Sequence, residues 1–356
     1  MEPPAQLATG KPRVAWPDAL RVLAAFAIVM VHVAMDVVAK AKDQNSLDWW
    51  VGNIADSGCR WAAPVFVMIS GAFLLAGSRQ ESLATFWKKR LNRILIPLAF
   101  WSLLYGVLSV TIAGVSIKEM VTLTLVFGRP AAHLWYLYMT LGLYLFTPFL
   151  RTYIGSSSSR ERRQVTLLML GLASLHSFFA VYFFDYKPVS LMLFVPYLGY
   201  YLCGHELREV EPGKLPVGRL GLLFIGSVLV TAAGTGILTA HFGRTAVESA
   251  FFRNLLSPTV IVMTISAFLL GIGLVGRVGA AAQRVAGIFT RMAPTTLGIY
   301  VLHPLVASGF KKAFGLTPLS FSPLWSIPIL SVATFCVSYL VIAAMLKVPY
   351  LRRTVS

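Results

Sequence analysis

The sequence predicts an all-α polytopic membrane protein of about ten transmembrane helices, with both termini cytoplasmic. Three observations carry this. Hydrophobic residues make up 57% of the chain and charged residues only 13%, against about 45–50% and about 25% in soluble domains. Ten apolar segments approach the roughly 20 residues needed to cross hydrocarbon: 17–39, 60–77, 94–114, 133–150, 165–184, 189–206, 219–240, 257–276, 293–311 and 324–345. When alternate loops are assigned to one side, the side holding both termini carries about twice the lysine and arginine of the other, and the positive-inside rule makes it the cytoplasm.

Residues 1–15, with three prolines and a glycine, read as a disordered tail; 16–346 form one membrane domain, and 347–356 a short basic cytoplasmic tail. The net charge of +17 then belongs to cytoplasmic loops rather than to nucleic-acid binding. Cys59, Cys203 and Cys336 are odd in number, so no disulfide framework is implied. Ala39-Lys40-Ala41 is a weak cleavage signal behind a segment too long for a signal peptide, so the first span is read as retained. No metal-ligand spacing and no nucleotide-binding glycine motif occurs, which argues against a metal cofactor and against ATP-driven transport.

The first span, Trp16 to Val38, carries Asp18, Arg21, His32 and Asp36 among apolar residues. At about 100° and 1.5 Å per residue, Arg21 and His32 point within roughly 20° of each other and lie roughly 16 Å apart. All four groups fall within about 60°, because residues three and four apart share a helix face. Interfacial snorkelling explains Asp18 and Arg21 singly. Ionisable groups at bilayer depth mark a functional site by default, and a shared stripe strengthens that reading.

The second span, Cys59 to Leu75, contains Pro64 and Ser70-Gly71, which suit close helix packing. Arg60, at its outer mouth, is placed to meet an anionic acceptor or to pair with Asp36. Phe86 to Pro97 is basic and aromatic; it serves as a topology signal or a lipid-facing surface, and its Lys88, Lys89, Arg90 and Arg93 also suit the phosphates of a nucleotide-like cofactor. The fourth span opens with His133, Trp135, Tyr136 and Tyr138, which fit an aromatic belt and a sugar-stacking wall equally. Pro188 and Pro196 interrupt the segments that follow, and His176 reads as a packing residue. In the ninth span Tyr300 and His303 share a face beside Pro304, towards the same outer half as His32.

Taken in order, D-A-L-R with His32 eleven residues after Arg21, P-V-F-V-M-I-S-G-A-F-L-L, F-W-K-K-R-L-N-R-I-L-I-P, H-L-W-Y-L-Y-M and L-G-I-Y-V-L-H-P resemble the membrane-bound acyltransferase 3 family. The H-L-W-Y-L-Y-M-T-L-G-L-Y-L-F-T-P stretch is most similar to its surface-polysaccharide O-acyltransferase branch. The resemblance covers Trp16 to about Leu346. It implies a multi-pass enzyme of the bacterial inner membrane that takes acetyl from cytosolic acetyl-CoA and delivers it to a hydroxyl of a surface glycan or its lipid-linked precursor. It also implies that Arg21 and His32 are the family's Arg-x10-His signature.

On that basis His32, with an ordinary pKa near 6.5, is the expected general base, and Asp36 one turn on is expected to orient its ring. Arg21, braced by Asp18, is expected to hold the pantetheine or phosphate part of the donor. A covalent acyl-His32 relay fits the same residues. Two other classes compete: a transporter or flippase whose polar stripe lines a substrate path, and a noncatalytic partner in glycan assembly. The first moves substrate without consuming acetyl-CoA; the second tolerates loss of His32.

Overall fold

The computed structural model describes residues 16–76, 82–183, 189–243, 246–276 and 287–356. The tail expected over 1–15 lies outside them. Among the described residues the chain is built of helices and connecting turns, with no strand.

Helix α1 (Trp16–Lys40) is the hub. It packs against α2 (Leu47–Cys59), α3 (Ala62–Leu74), α10 (Pro258–Gly276), α11 (Thr296–Phe314) and α12 (Pro323–Met345). Small buried residues permit this, since Ala24, Ala25 and Ala34 let neighbouring backbones approach closely.

Among the described residues, seven helical stretches are long and apolar enough to cross a membrane. They fall on the first, second, third, fifth, seventh, eighth and tenth expected segments. The fourth and ninth fall on α6 (Trp135–Ser156) and α11, of 22 and 19 residues. The sixth holds only the ten-residue α8 (Leu198–Leu207), behind 3-10 turns at Ser190–Met192 and Val195–Tyr197. Pro196 lacks the amide hydrogen that a longer helix would need there.

The second span starts earlier than its hydropathy suggests. α2 and α3 together run from Leu47 to Leu74, from an amino-terminal cap in which Ser46 Oγ accepts from the Trp49 amide at 3.2 Å. Polar Asn53 and Asp56 hide this run from an apolar count, yet both are fully buried. Asn53 Nδ2 donates to the Ala232 carbonyl at 2.8 Å on α9 (Val217–Phe242). Arg60 therefore sits at the α2–α3 joint, within the helical run that begins at Leu47 rather than at its start.

α3 and α8 cross at very short range. A Cβ on Gly71 would lie 1.8 Å from the Tyr201 carbonyl oxygen, and one on Gly204 would lie 1.9 Å from that of Met68; only glycine fits at either point. The end of α3 is then closed by two arginines. Arg151 Nε donates to the Leu74 carbonyl at 2.7 Å and Arg208 Nη1 to that of Ala72 at 3.2 Å, which satisfies carbonyls a helix end leaves unpaired. The last residues also dock: in α13 (Pro349–Val355) the Thr354 carbonyl accepts from Trp101 Nε1 at 2.9 Å, which ties the carboxyl terminus to α4 (Leu83–Ala113).

Candidate functional site

The site is built from α1 outward. Asp18, buried at 3% exposure, holds Arg21 at 3.3 Å, as their spacing predicts. Eleven residues on, His32 lies in the bundle interior yet keeps an open surface, because two cavities meet on it.

Its imidazole is fixed by backbone. The His32 Nδ1 atom is 3.0 Å from the Ile28 carbonyl oxygen. A carbonyl only accepts, so Nδ1 carries the proton and the neutral ring presents an unprotonated Nε2. This corrects the role expected of Asp36. That carboxylate pairs with Lys40 at 2.7 Å at the far end of α1, with 41% of its side chain exposed. Helical side chains lean towards the amino terminus, so the ring of His32 reaches back to residue 28 and away from residue 36. Asp36 still lines the cavity that His32 lines.

His32 belongs to a cluster of three histidines. Its ring centroid lies 4.8 Å from that of His303, which lies 5.7 Å from that of His133. Pro304 shapes this cluster. Lacking an amide hydrogen, it leaves the Tyr300 carbonyl without its helical donor, and His303 Nδ1 sits 2.7 Å from that oxygen. His303 Nε2 is buried with no hydrogen-bond partner; with Nδ1 donating to a carbonyl, the neutral ring carries its lone pair on Nε2. His133 is held the other way round, with Nε2 3.3 Å from the Val301 carbonyl, which also accepts from Tyr105 Oη at 2.8 Å. At 5% exposure it is an interior residue rather than part of a surface belt. Tyr300 Oη donates to the His133 carbonyl and locks the 3-10 turn before α6 in place. Among the described residues, no group of three or more His, Cys, Asp or Glu is placed to hold a metal ion.

Three cavities adjoin here. One of about 280 Å³ runs from His32 and His303 to Asp36, Lys40 and Lys311 at the far end of α1. A second, of about 210 Å³, joins His32 and His133 to Arg60, Trp135 and Tyr300. A third, of about 470 Å³, shares Arg60 and Trp135 with the second and adds Arg129, His176 and Arg253. His176, expected to be packing only, thus lines a cavity. Arg60 does not pair with Asp36. Its Nη2 bonds both oxygens of fully buried Asp56 at 2.6 Å, and Arg253 Nη1 reaches the same carboxylate at 3.4 Å.

Nearer the start of α1 the groups are open instead of enclosed. Tyr144 is hydrogen-bonded to Ser70 and stands within electrostatic range of Arg21, Arg90 and Arg93. Arg21 of α1 and Arg90 and Arg93 of α4 therefore all act on one tyrosine of α6. Arg93 and Lys88 are exposed, Arg90 is half-buried, and Arg90 Nε has no hydrogen-bond partner. Tyr136 meets the ring of Tyr300 at 5.4 Å between centroids, and Tyr300 meets that of His133 at 5.8 Å, so a tyrosine layer leads to the histidines.

Most expected residues thus gather on one axis through the bundle, but Tyr138 does not. It turns to α4, where its hydroxyl lies 3.4 Å from Ser102 Oγ beside an apolar groove; Trp135 and Tyr138 are three apart, and the axis takes only Trp135. The residues the sequence reading missed are Asp56, Arg129 and Arg253. Asp56 stands one turn before Arg60, a pairing legible once the span is begun at Leu47. Arg253 had no local signal.

A family model described as an acyltransferase domain matches residues 14–343. No curated protein and no solved structure matches the chain.

Proposed function

The chain belongs to the acyltransferase 3 family, and from that premise we propose that it carries acetyl from cytosolic acetyl-CoA to a hydroxyl of a surface polysaccharide or its lipid-linked precursor, at the bacterial inner membrane. The observation that carries the reading is His32 itself, its Nδ1 held 3.0 Å from the Ile28 carbonyl where two cavities meet, which in the neutral ring leaves the Nε2 lone pair free. That nitrogen is placed to take the proton of an acceptor hydroxyl as its oxygen attacks the thioester carbonyl. The thiolate of CoA leaves, and the imidazolium returns the proton to it. The same nitrogen also suits direct attack on the thioester, which gives an acyl-imidazole that the acceptor hydroxyl then opens.

The donor's phosphates are assigned to Arg21, Arg90 and Arg93, with exposed Lys88 on the same helix as the last two, since arginine binds phosphate through a planar fork. Basic-residue bias puts this end of α1 in the cytoplasm. The pantetheine arm then points along α1 towards the tyrosine layer and the histidines. Arg60, His133, Trp135, Tyr300 and His303 are the acceptor-side residues. Acetyl transfer from radiolabelled acetyl-CoA by purified His32→Ala and Arg21→Ala proteins tests this. Both variants are expected to lose transfer, the histidine variant while still binding donor; full transfer by either removes the assignment. Substrate movement without consumption of acetyl-CoA would point to a transporter.

A further inference from the structure

The three-arginine cavity has more positive charge than its surroundings balance. Arg60, Arg129 and Arg253 line it, and among the described residues no acidic side chain does. Behind it Asp56 is shared by Arg60 and Arg253. The Nε atoms of both arginines are buried without a hydrogen-bond partner. Arg129 is exposed, and among the described residues no carboxylate pairs with it. Buried cations short of counter-charge are unfavourable unless a ligand completes them. The unmet requirement here is two negative charges presented to forked donors, which is the chemistry of a phosphate or diphosphate group.

Two further features fix its context. The cavity meets the His32 cavity along Arg60 and Trp135. Its border includes Met192 and Val247, apolar residues 58% and 63% exposed, a rim suited to a hydrocarbon chain. Inside, Trp135 lies 5.5 Å from Tyr197, centroid to centroid, and the pair forms an aromatic wall.

We propose that Arg60, Arg129 and Arg253 bind the diphosphate of a lipid-linked saccharide, so that the acceptor is selected by its anionic group and presents a sugar hydroxyl to His32. The site deepens the acyltransferase reading and rests on it for the identity of the acceptor. A neutral glycan released from its carrier lacks this anchor.

The test uses the full chain in lipid nanodiscs titrated with inorganic pyrophosphate and followed by calorimetry. Wild-type protein is expected to bind saturably. Arg129→Gln, which breaks no ion pair, is expected to weaken binding at least about tenfold, as loss of one charge-assisted contact does. The titrations are run with CoA at saturating concentration, so that the arginines assigned to the donor are occupied. His32→Ala is expected to bind pyrophosphate as wild type does, because His32 does not line this cavity. Absence of saturable binding, an unchanged affinity in Arg129→Gln, or loss of binding in His32→Ala overturns the site. Binding is read independently of chemistry: intact His32-dependent transfer with no pyrophosphate binding defeats this inference alone, and Arg129-dependent binding supports the site even if the transferred group proves not to be acetyl.

Discussion

The two ends of α1 handle charge in opposite ways. Towards the Arg21 end, the cations of α1 and α4 are half-buried or exposed, and Arg93 and Lys88 are open at the surface. Around His32, eleven residues on, arginines are nearly enclosed, and Asp56 is shared between two of them. An exposed cation costs little to keep waiting for an anion, whereas one at mid-span needs a partner or a ligand. Histidine suits the enclosed end because its neutral form offers a nitrogen lone pair without adding another charge. Binding is thus assigned to the open end and proton transfer to the closed one, and the continuity of one helix joins them.

Four substitutions test that division, the greatest expected effect first. His32→Ala should lower acetyl transfer about 10²–10⁴-fold, the usual worth of a positioned acid or base, with donor affinity intact by equilibrium dialysis. A loss confined to KM would instead make His32 a binding residue and erase the contrast. Asp56→Ala should destabilise the closed end by about 3–5 kcal/mol, because it strips the counter-ion from two buried arginines; thermal unfolding in detergent reads this, and a change under about 1 kcal/mol would mean that water reaches the arginines freely. Arg90→Gln should raise the KM for acetyl-CoA about tenfold and leave kcat nearly constant, the pattern of lost uniform binding. Last, Asp36→Asn should alter kcat less than about threefold, since Asp36 engages Lys40 and not His32. A drop near that of His32→Ala would restore Asp36 as the group that orients the base.

Much of this was legible in the residues themselves. The Asp18–Arg21 pair and the common direction of Arg21 and His32 follow from helical period, and the placing of His303 on an apolar span follows from composition; its ring contact with His32 does not. Asp36 was misread because spacing alone ignores the lean of helical side chains. Arg60 was misplaced for a different reason: Asn53 and Asp56 break the apolar run, and hydropathy cannot tell a buried polar residue with partners from an exposed one. The interior position of His133 was equally hidden, since aromatic residues near a span end look alike whether they line a belt or a cavity.

The sequence by itself determined the all-helical membrane-spanning class, because an apolar chain in hydrocarbon must satisfy its backbone within helices. It also determined the direction in which each polar group leaves α1, because the helical period is fixed by backbone bonding. Only the tertiary structure decided which carbonyl holds each imidazole and that three arginines from separate segments face one cavity. Those outcomes depend on how helices cross, at contacts such as Gly71 against Tyr201 and Gly204 against Met68, and side-chain packing between distant segments leaves no period in the chain to read.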